Sequence, residues 1–214
     1  MTSYWSRRIA RHVAIAALSA GCIAIVGEID GAERLVQRVS MGTAYTGLGL
    51  IALSLVIGPA NVLRAKPNPV SADVRRDVGI WAAIVSCAHV VFGLQVHIPG
   101  RPWEFFVWGR DQLRAIPLRY DAFGGANYLG LGAALVLLLL LALSNDASLR
   151  RFGTAKWKQL QRWNYVAFGA IAVHGVVYQV LEKRALPWVS VFAATLGAVL
   201  ALQYAGWRRT RGEG

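Results

Sequence analysis

The sequence predicts an all-α membrane protein: a bundle of six transmembrane helices with both termini in the cytoplasm. Three observations lead there. Of 214 residues, 56% are hydrophobic and the mean hydropathy is +0.43, whereas a soluble domain sits nearer ~45–50% apolar. The apolar excess is gathered into runs of about 20 residues, the length that crosses a hydrocarbon core. Lys and Arg fall between those runs, so the formal charge of +12 reads as membrane topology and not as a nucleic-acid footprint. Lipid is the expected surrounding, and nucleic acid is not an expected partner.

The first span is read at Ile9–Ile29, after a short N-terminal tail (residues 1–8). Ser6-Arg7-Arg8 is an incomplete twin-arginine signal and Ser19-Ala20-Gly21-Cys22 an incomplete lipoprotein box, so the segment reads as an uncleaved helix. The second, Thr43–Leu63, carries Gly47, Gly49 and Gly58-Pro59, small residues that let backbones approach in lipid. The third is Val78–Ile98. A long connection, Pro99 to Asp121, follows with Trp103, Phe105, Phe106 and Trp108, rings expected in the headgroup layer. The fourth span, Ala122–Leu143, has Gly124, Gly125, Gly130 and Gly132; the fifth is Trp163–Leu181 and the sixth Trp188–Trp207. Residues 9–207 thus form one six-helix domain, and 208–214 a second tail. Fifteen of the 23 Lys and Arg residues, from Arg7 and Arg8 through Arg75, Arg76, Arg150 and Arg162 to Arg211, lie on the side of the termini. The other eight are Arg34, Arg38, Arg101, Arg110, Arg114, Arg119, Lys183 and Arg184. The excess marks the termini side as cytoplasmic.

Two ionisable residues fall within the spans at similar depth. His89 lies eleven residues beyond Val78 and His174 twelve beyond Arg162, or ~16 Å and ~18 Å along a helix rising 1.5 Å per residue. Ionisable groups at that depth mark functional sites. Two imidazoles on different helices at one level suit an iron porphyrin held between them; each can instead bond a neighbouring carbonyl. Ser86, three residues before His89, is one candidate partner for its second ring nitrogen. Gly93 and Gly175 are candidates for close backbone approach to a flat ring, and His97, Arg101 and Arg184 for pairing with propionates. No Cys-x-x-Cys-His motif is present, so any haem is b-type. No glycine-rich dinucleotide fingerprint follows a strand pattern.

Further motifs accompany the histidines. Thr46-Gly47 to Pro59, then Val74-Arg75-Arg76-Asp77-Val78-Gly79-Ile80, lead to His89. Leu141-Ala142-Leu143-Ser144-Asn145 runs through Arg150-Arg151-Phe152-Gly153 and Trp157-Lys158-Gln159-Leu160-Gln161-Arg162 to Tyr165 and His174. In this order they resemble the ferric-reductase-like transmembrane family, above all its branch of MsrQ-type haem-binding subunits of the periplasmic methionine sulfoxide reductase system. The resemblance covers spans two to five. It implies that His89 and His174 are the axial ligands of the haem iron. Gln161 stands where that family usually has a further histidine, and Arg75 and Arg76 stand where a two-haem stack would need another; a single haem b is therefore expected.

What the resemblance implies is a multi-pass b-type cytochrome of a bacterial inner membrane, an electron-transfer subunit of an oxidoreductase system. Electrons would arrive from the quinol pool or from a cytoplasmic flavin reductase. They would leave to a periplasmic redox partner, such as a methionine sulfoxide reductase catalytic subunit, or to ferric iron. Gln161, Arg75, Arg76 and Arg162 would line a way in for a quinone or FMN. The rival reading is a haem-free transporter or assembly factor that keeps the fold, although transporters show more charge or broken helices in mid-membrane.

Overall fold

The computed structural model describes residues 2–66, 73–109, 112 and 114–212; Arg110 and the last two residues of the C-terminal tail lie outside the described residues. Among the described residues seven α-helices follow one another: α1 Thr2–Asp30, α2 Leu35–Leu63, α3 Asp73–Gly93, α4 Ala122–Ala142, α5 Asp146–Gln161, α6 Trp163–Leu181 and α7 Leu186–Thr210. Six segments are long and apolar enough to cross a membrane. The only pairing of extended chain among the described residues is an isolated bridge between Val107 and Leu118.

Local chemistry sets the helix limits. Asp121 and Asn145 cap α4 and α5 by accepting the backbone N–H groups of Gly124 and Ser148, donors that the first helical turn leaves unpaired. Pro187 opens α7, where its missing N–H costs nothing. Gly31 follows α1 with φ of 66°, a left-handed conformation open to glycine at little cost. Against the sequence reading, α2 begins at Leu35, eight residues earlier than Thr43, and α3 ends at Gly93, not at Ile98. Polar Gln37 and Arg38 conceal the first change, since hydropathy windows cannot register a helix whose early turns are amphipathic. Residues 146–161, read as a polar connection, form α5. That helix is broken at Gly153 (φ 71°) and buries none of its residues.

The bundle is assembled around two closely packed pairs, α2 with α3 and α4 with α6. α1 and α7 flank α2. Close approach of α1 to α2 depends on Gly42, where a Cβ would stand 2.3 Å from the Ile23 carbonyl oxygen. The first turns of α1 and the last of α7 lie at one end, termed proximal, with the end of α2, the start of α3 and α5. The other three connections make up the distal end. The proximal half is filled by Ile51, Leu55, Ala82, Ala83 and Phe168, in one apolar cluster with Leu137 at the border and Phe192 and Val199 of α7.

One charge is buried at the proximal end. Asp77, at the start of α3, is 0% exposed and faces two arginines and a histidine of α1. Arg11 Nε donates to it at 2.9 Å, Arg8 Nε lies at 3.4 Å and His12 Nε2 at 3.3 Å. Trp81 Nε1 donates to His12 Nδ1 at 3.1 Å. The hydropathy reading began its third span at Val78 and passed over this carboxylate, because a residue at a span border carries little hydropathy signal. Removing one partner of a buried ionic cluster strands the others, at a cost of about 3 kcal/mol or more. Asp77→Asn is therefore expected to lower the melting temperature of the detergent-solubilised protein by several degrees. An unchanged melting curve would show that the cluster contributes no net stability.

Candidate functional site

Between the two helix pairs, in the distal half, lies a cavity of about 320 Å³. His89 of α3 and His174 of α6 both line it, with Ser86, Gly130, Tyr178, Gln179, Asn127 and Leu137. The imidazole rings face each other with centroids 6.4 Å apart and planes at 80°.

Each ring is oriented by the backbone of the neighbouring helix in its own pair. His89 Nδ1 lies 3.0 Å from the Ser40 carbonyl oxygen of α2, and His174 Nδ1 lies 2.8 Å from the Ala126 carbonyl oxygen of α4. A carbonyl can only accept, so each Nδ1 carries the proton and each Nε2 keeps its lone pair. Ser86, the partner suggested by sequence, does not hold His89. It packs toward α2, where a Cβ on Gly47 would meet its Oγ at 3.3 Å. A backbone acceptor has no side-chain signature, which is why the sequence did not disclose it.

Glycine makes the room. A Cβ on Gly130 would stand 2.8 Å from His174 Nδ1, so the ring fits against α4 only because that side chain is absent. Gly175 serves a different neighbour from the one expected. A Cβ there would lie 2.4 Å from the Phe192 ring, so Gly175 admits α7, which closes the gap between α2 and α6. At Gly93 a Cβ would meet His89 Cε1 at 3.7 Å, an ordinary contact.

The distal mouth is charged. His97 Nε2 lies 2.9 Å from Glu182 Oε1, and Arg184 pairs with both Glu182 and Asp30, the latter at 3.2 Å. His97 and Arg184 thus line the cavity, as do Asp30 and Glu182, neither of which the sequence reading singled out. Arg101 does not; it pairs with Glu104 at 2.9 Å. Of the four aromatic rings expected in the headgroup layer, Trp103 is 57% exposed but Phe105 is only 2% exposed. Phe105 packs on His97 and Phe123. Tyr178 extends the ring contacts from His174 (4.8 Å) to His97 (6.0 Å) and donates its hydroxyl to Asn127 Oδ1 at 2.8 Å.

The remaining sequence candidates sit at the proximal end, apart from the cavity. Arg76 Nε donates to the Ser144 carbonyl at 3.0 Å and its NH1 pairs with Asp146 at 2.6 Å. Arg75 is half-buried and Arg162 exposed. The Nε2 atom of Gln161 is buried without a hydrogen-bond partner.

Chemically, two imidazoles with free Nε2 lone pairs can each donate to a metal placed between them. A metal held at about 2 Å from each nitrogen would set the ring centres roughly 6 Å apart, close to the spacing found. No cluster of three or more His, Cys, Asp or Glu able to hold a bare ion occurs among the described residues. The pair therefore suits a metal that brings its other ligands with it.

No family model matches the chain, and no solved structure matches it. A curated relative does. Over 169 residues, 78% of this chain and 73% of the relative, it is 30% identical to the protein-methionine-sulfoxide reductase heme-binding subunit MsrQ of Rhodospirillum rubrum. The chain belongs to the MsrQ family. With the six membrane-capable helices, membership makes it a multi-pass membrane protein.

One titration follows from the mouth of the cavity. Burial alone would raise the Glu182 carboxyl, but the His97 hydrogen bond and the Arg184 guanidinium hold it below its ordinary value. A depressed carboxylate contributes stability that is present above its unfolded-state pKa and is lost as pH falls through the folded one. Stability should therefore decline on acidification below about pH 4.3, the unperturbed glutamate value, and Glu182→Gln should flatten that part of the profile. An identical acid limb in the variant would remove Glu182 as its source.

Proposed function

We propose that this MsrQ-family chain holds one b-type haem between His89 and His174 and serves as an electron-transfer subunit, carrying electrons outward across a bacterial inner membrane. The observation that carries the reading is the facing pair of imidazoles, each with its Nδ1 proton committed to a neighbouring carbonyl. Committing Nδ1 fixes the tautomer and raises the basicity of Nε2 as an iron ligand. Held by His89 and His174, the haem would supply one-electron redox chemistry.

The residues around the pair divide the remaining work. Leu137, Phe105, Phe106 and Phe192 exclude water from the space between the rings. Arg184 and His97 at the distal mouth are the hydrogen-bond donors available to propionates, in competition with Asp30 and Glu182. A single haem is favoured because Ile51, Leu55, Ala83 and Phe168 fill the proximal half.

The excess of Lys and Arg at the proximal end favours a cytoplasmic location for both termini. Electrons then arrive from that side, from a quinol or a reduced flavin such as FMN. Arg162 lies twelve residues from His174 along α6, or ~18 Å at 1.5 Å per residue. Gln161, with its unpartnered buried amide, and Arg75, Arg76 and Arg162 are the groups offered to such a donor. The acceptor is a periplasmic methionine sulfoxide reductase subunit, in keeping with the name of the R. rubrum relative, or ferric iron.

A reduced-minus-oxidised spectrum of the purified protein, with haem quantified per chain, tests the reading. About one b-type haem per chain is expected, with loss on either His89→Ala or His174→Ala. Gly130→Ala should lower occupancy several-fold by displacing His174, with little change in helicity. A haem-free protein from haem-replete cells would overturn the proposal and leave transport or assembly as the alternative. For the donor side, Gln161→Ala is expected to slow quinol- or flavin-driven reduction while leaving dithionite reduction unchanged; equal rates with both would exclude Gln161.

A further inference from the structure

Arg119, between the aromatic segment and α4, has no part in the proposed electron path, yet it is engaged on every side. Its Nε lies 3.1 Å from both carboxylate oxygens of Asp121. Its NH1 donates to the Glu104 carbonyl at 3.0 Å. The guanidinium carbon stands 4.5 Å from the Phe123 ring centre and 5.0 Å from that of Trp108. The backbone joins in: Arg119 N–H donates to the Phe106 carbonyl and Trp108 N–H to the Pro117 carbonyl, both at 2.8 Å. Tyr128 donates its hydroxyl to the same Phe106 carbonyl.

What these contacts hold in place is the wall of the cavity. Phe105 and Phe106 line it, and Phe105 closes on His97 and Phe123 with centroids 6.2 and 5.2 Å away. Among the described residues of this connection the helical structure is the 3₁₀ turn Pro102–Phe105. The planar fork of Arg119, which can bond and stack at once, adds side-chain contacts to the backbone bonds in fixing the connection's position.

We propose that Arg119 is a positioning residue that staples residues 102–109 over the distal mouth of the histidine cavity, and that this lid keeps water from the haem and so raises its reduction potential. The inference rests on the haem reading above. Ferric haem carries one more positive charge than ferrous haem, so water reaching the site favours the oxidised form. Burial is one of the means by which a protein tunes such a centre.

The test uses the full-length protein in lipid nanodiscs and two readouts. In Arg119→Ala, hydrogen exchange at the amides of Val107, Trp108 and Arg119 should rise about tenfold or more. At an ambient potential equal to the wild-type midpoint, its ferric-to-ferrous ratio should rise about threefold above unity. Arg119→Lys restores a charge but not the fork, and should fall between wild type and alanine. Trp108→Leu, which removes one stacking ring from the staple while sparing the cavity wall, should move both readouts in the same direction by less. Unchanged exchange overturns the staple; raised exchange with an unchanged ratio overturns the shielding. A wild-type protein that binds no haem overturns the haem reading and the shielding with it, while the exchange measurement, which needs no cofactor, still decides the staple.

Discussion

The centre of this molecule depends on the commitment of two imidazole protons to backbone carbonyls. With Nδ1 of His89 tied to Ser40 and Nδ1 of His174 tied to Ala126, each ring has one tautomer and one orientation. Neither bond is made within the helix that carries the histidine. Each reaches the other helix of its pair, so packing α2 on α3 and α4 on α6 also aims the rings. A slip of either pair by one residue would remove the acceptor and leave a polar ring without its partner in an apolar surrounding, where an unmade hydrogen bond is expensive.

That constraint explains how the bundle divides along its length. Where the pairs part, in the distal half, a cavity opens with the rings facing each other across it. Where they meet, in the proximal half, Ile51, Leu55, Ala83 and Phe168 belong to one buried apolar cluster. Distal charge and proximal charge then do different things. Asp30, Glu182, Arg184 and His97 rim an open space, whereas Asp77 is sealed beneath Arg8, Arg11 and His12 and ties α1 to α3. The first set can respond to what occupies the cavity; the second is spent on assembly.

Most of the spans were legible in the sequence, because about 20 apolar residues between basic clusters have few other physical solutions. The two histidines were legible for the same reason, as ionisable groups in that setting. Three things were not. α5 escaped because hydropathy measures transfer into lipid, and this helix, with no buried residue and a break at Gly153, owes its form to its Asn145 cap and its position beside α6. Asp77 escaped because its burial comes from α1 folding over it, a tertiary fact. Phe105 was read as an interfacial ring, although the chain turns it inward; neighbouring Trp103 has the same local composition and points out.

The carbonyl acceptors were invisible in principle, and their invisibility has a consequence. Every residue has a carbonyl, so the ring-orienting role at positions 40 and 126 makes no demand on side-chain identity. It demands only that the helix pass at the right distance and phase. Side-chain demands fall instead on positions that must stay small, above all Gly130, where a Cβ would stand 2.8 Å from the His174 ring. A site built this way tolerates wide sequence change, provided two histidines and the close passage of α4 remain. A reader of the sequence who looks only for side-chain partners of the histidines will look in the wrong place.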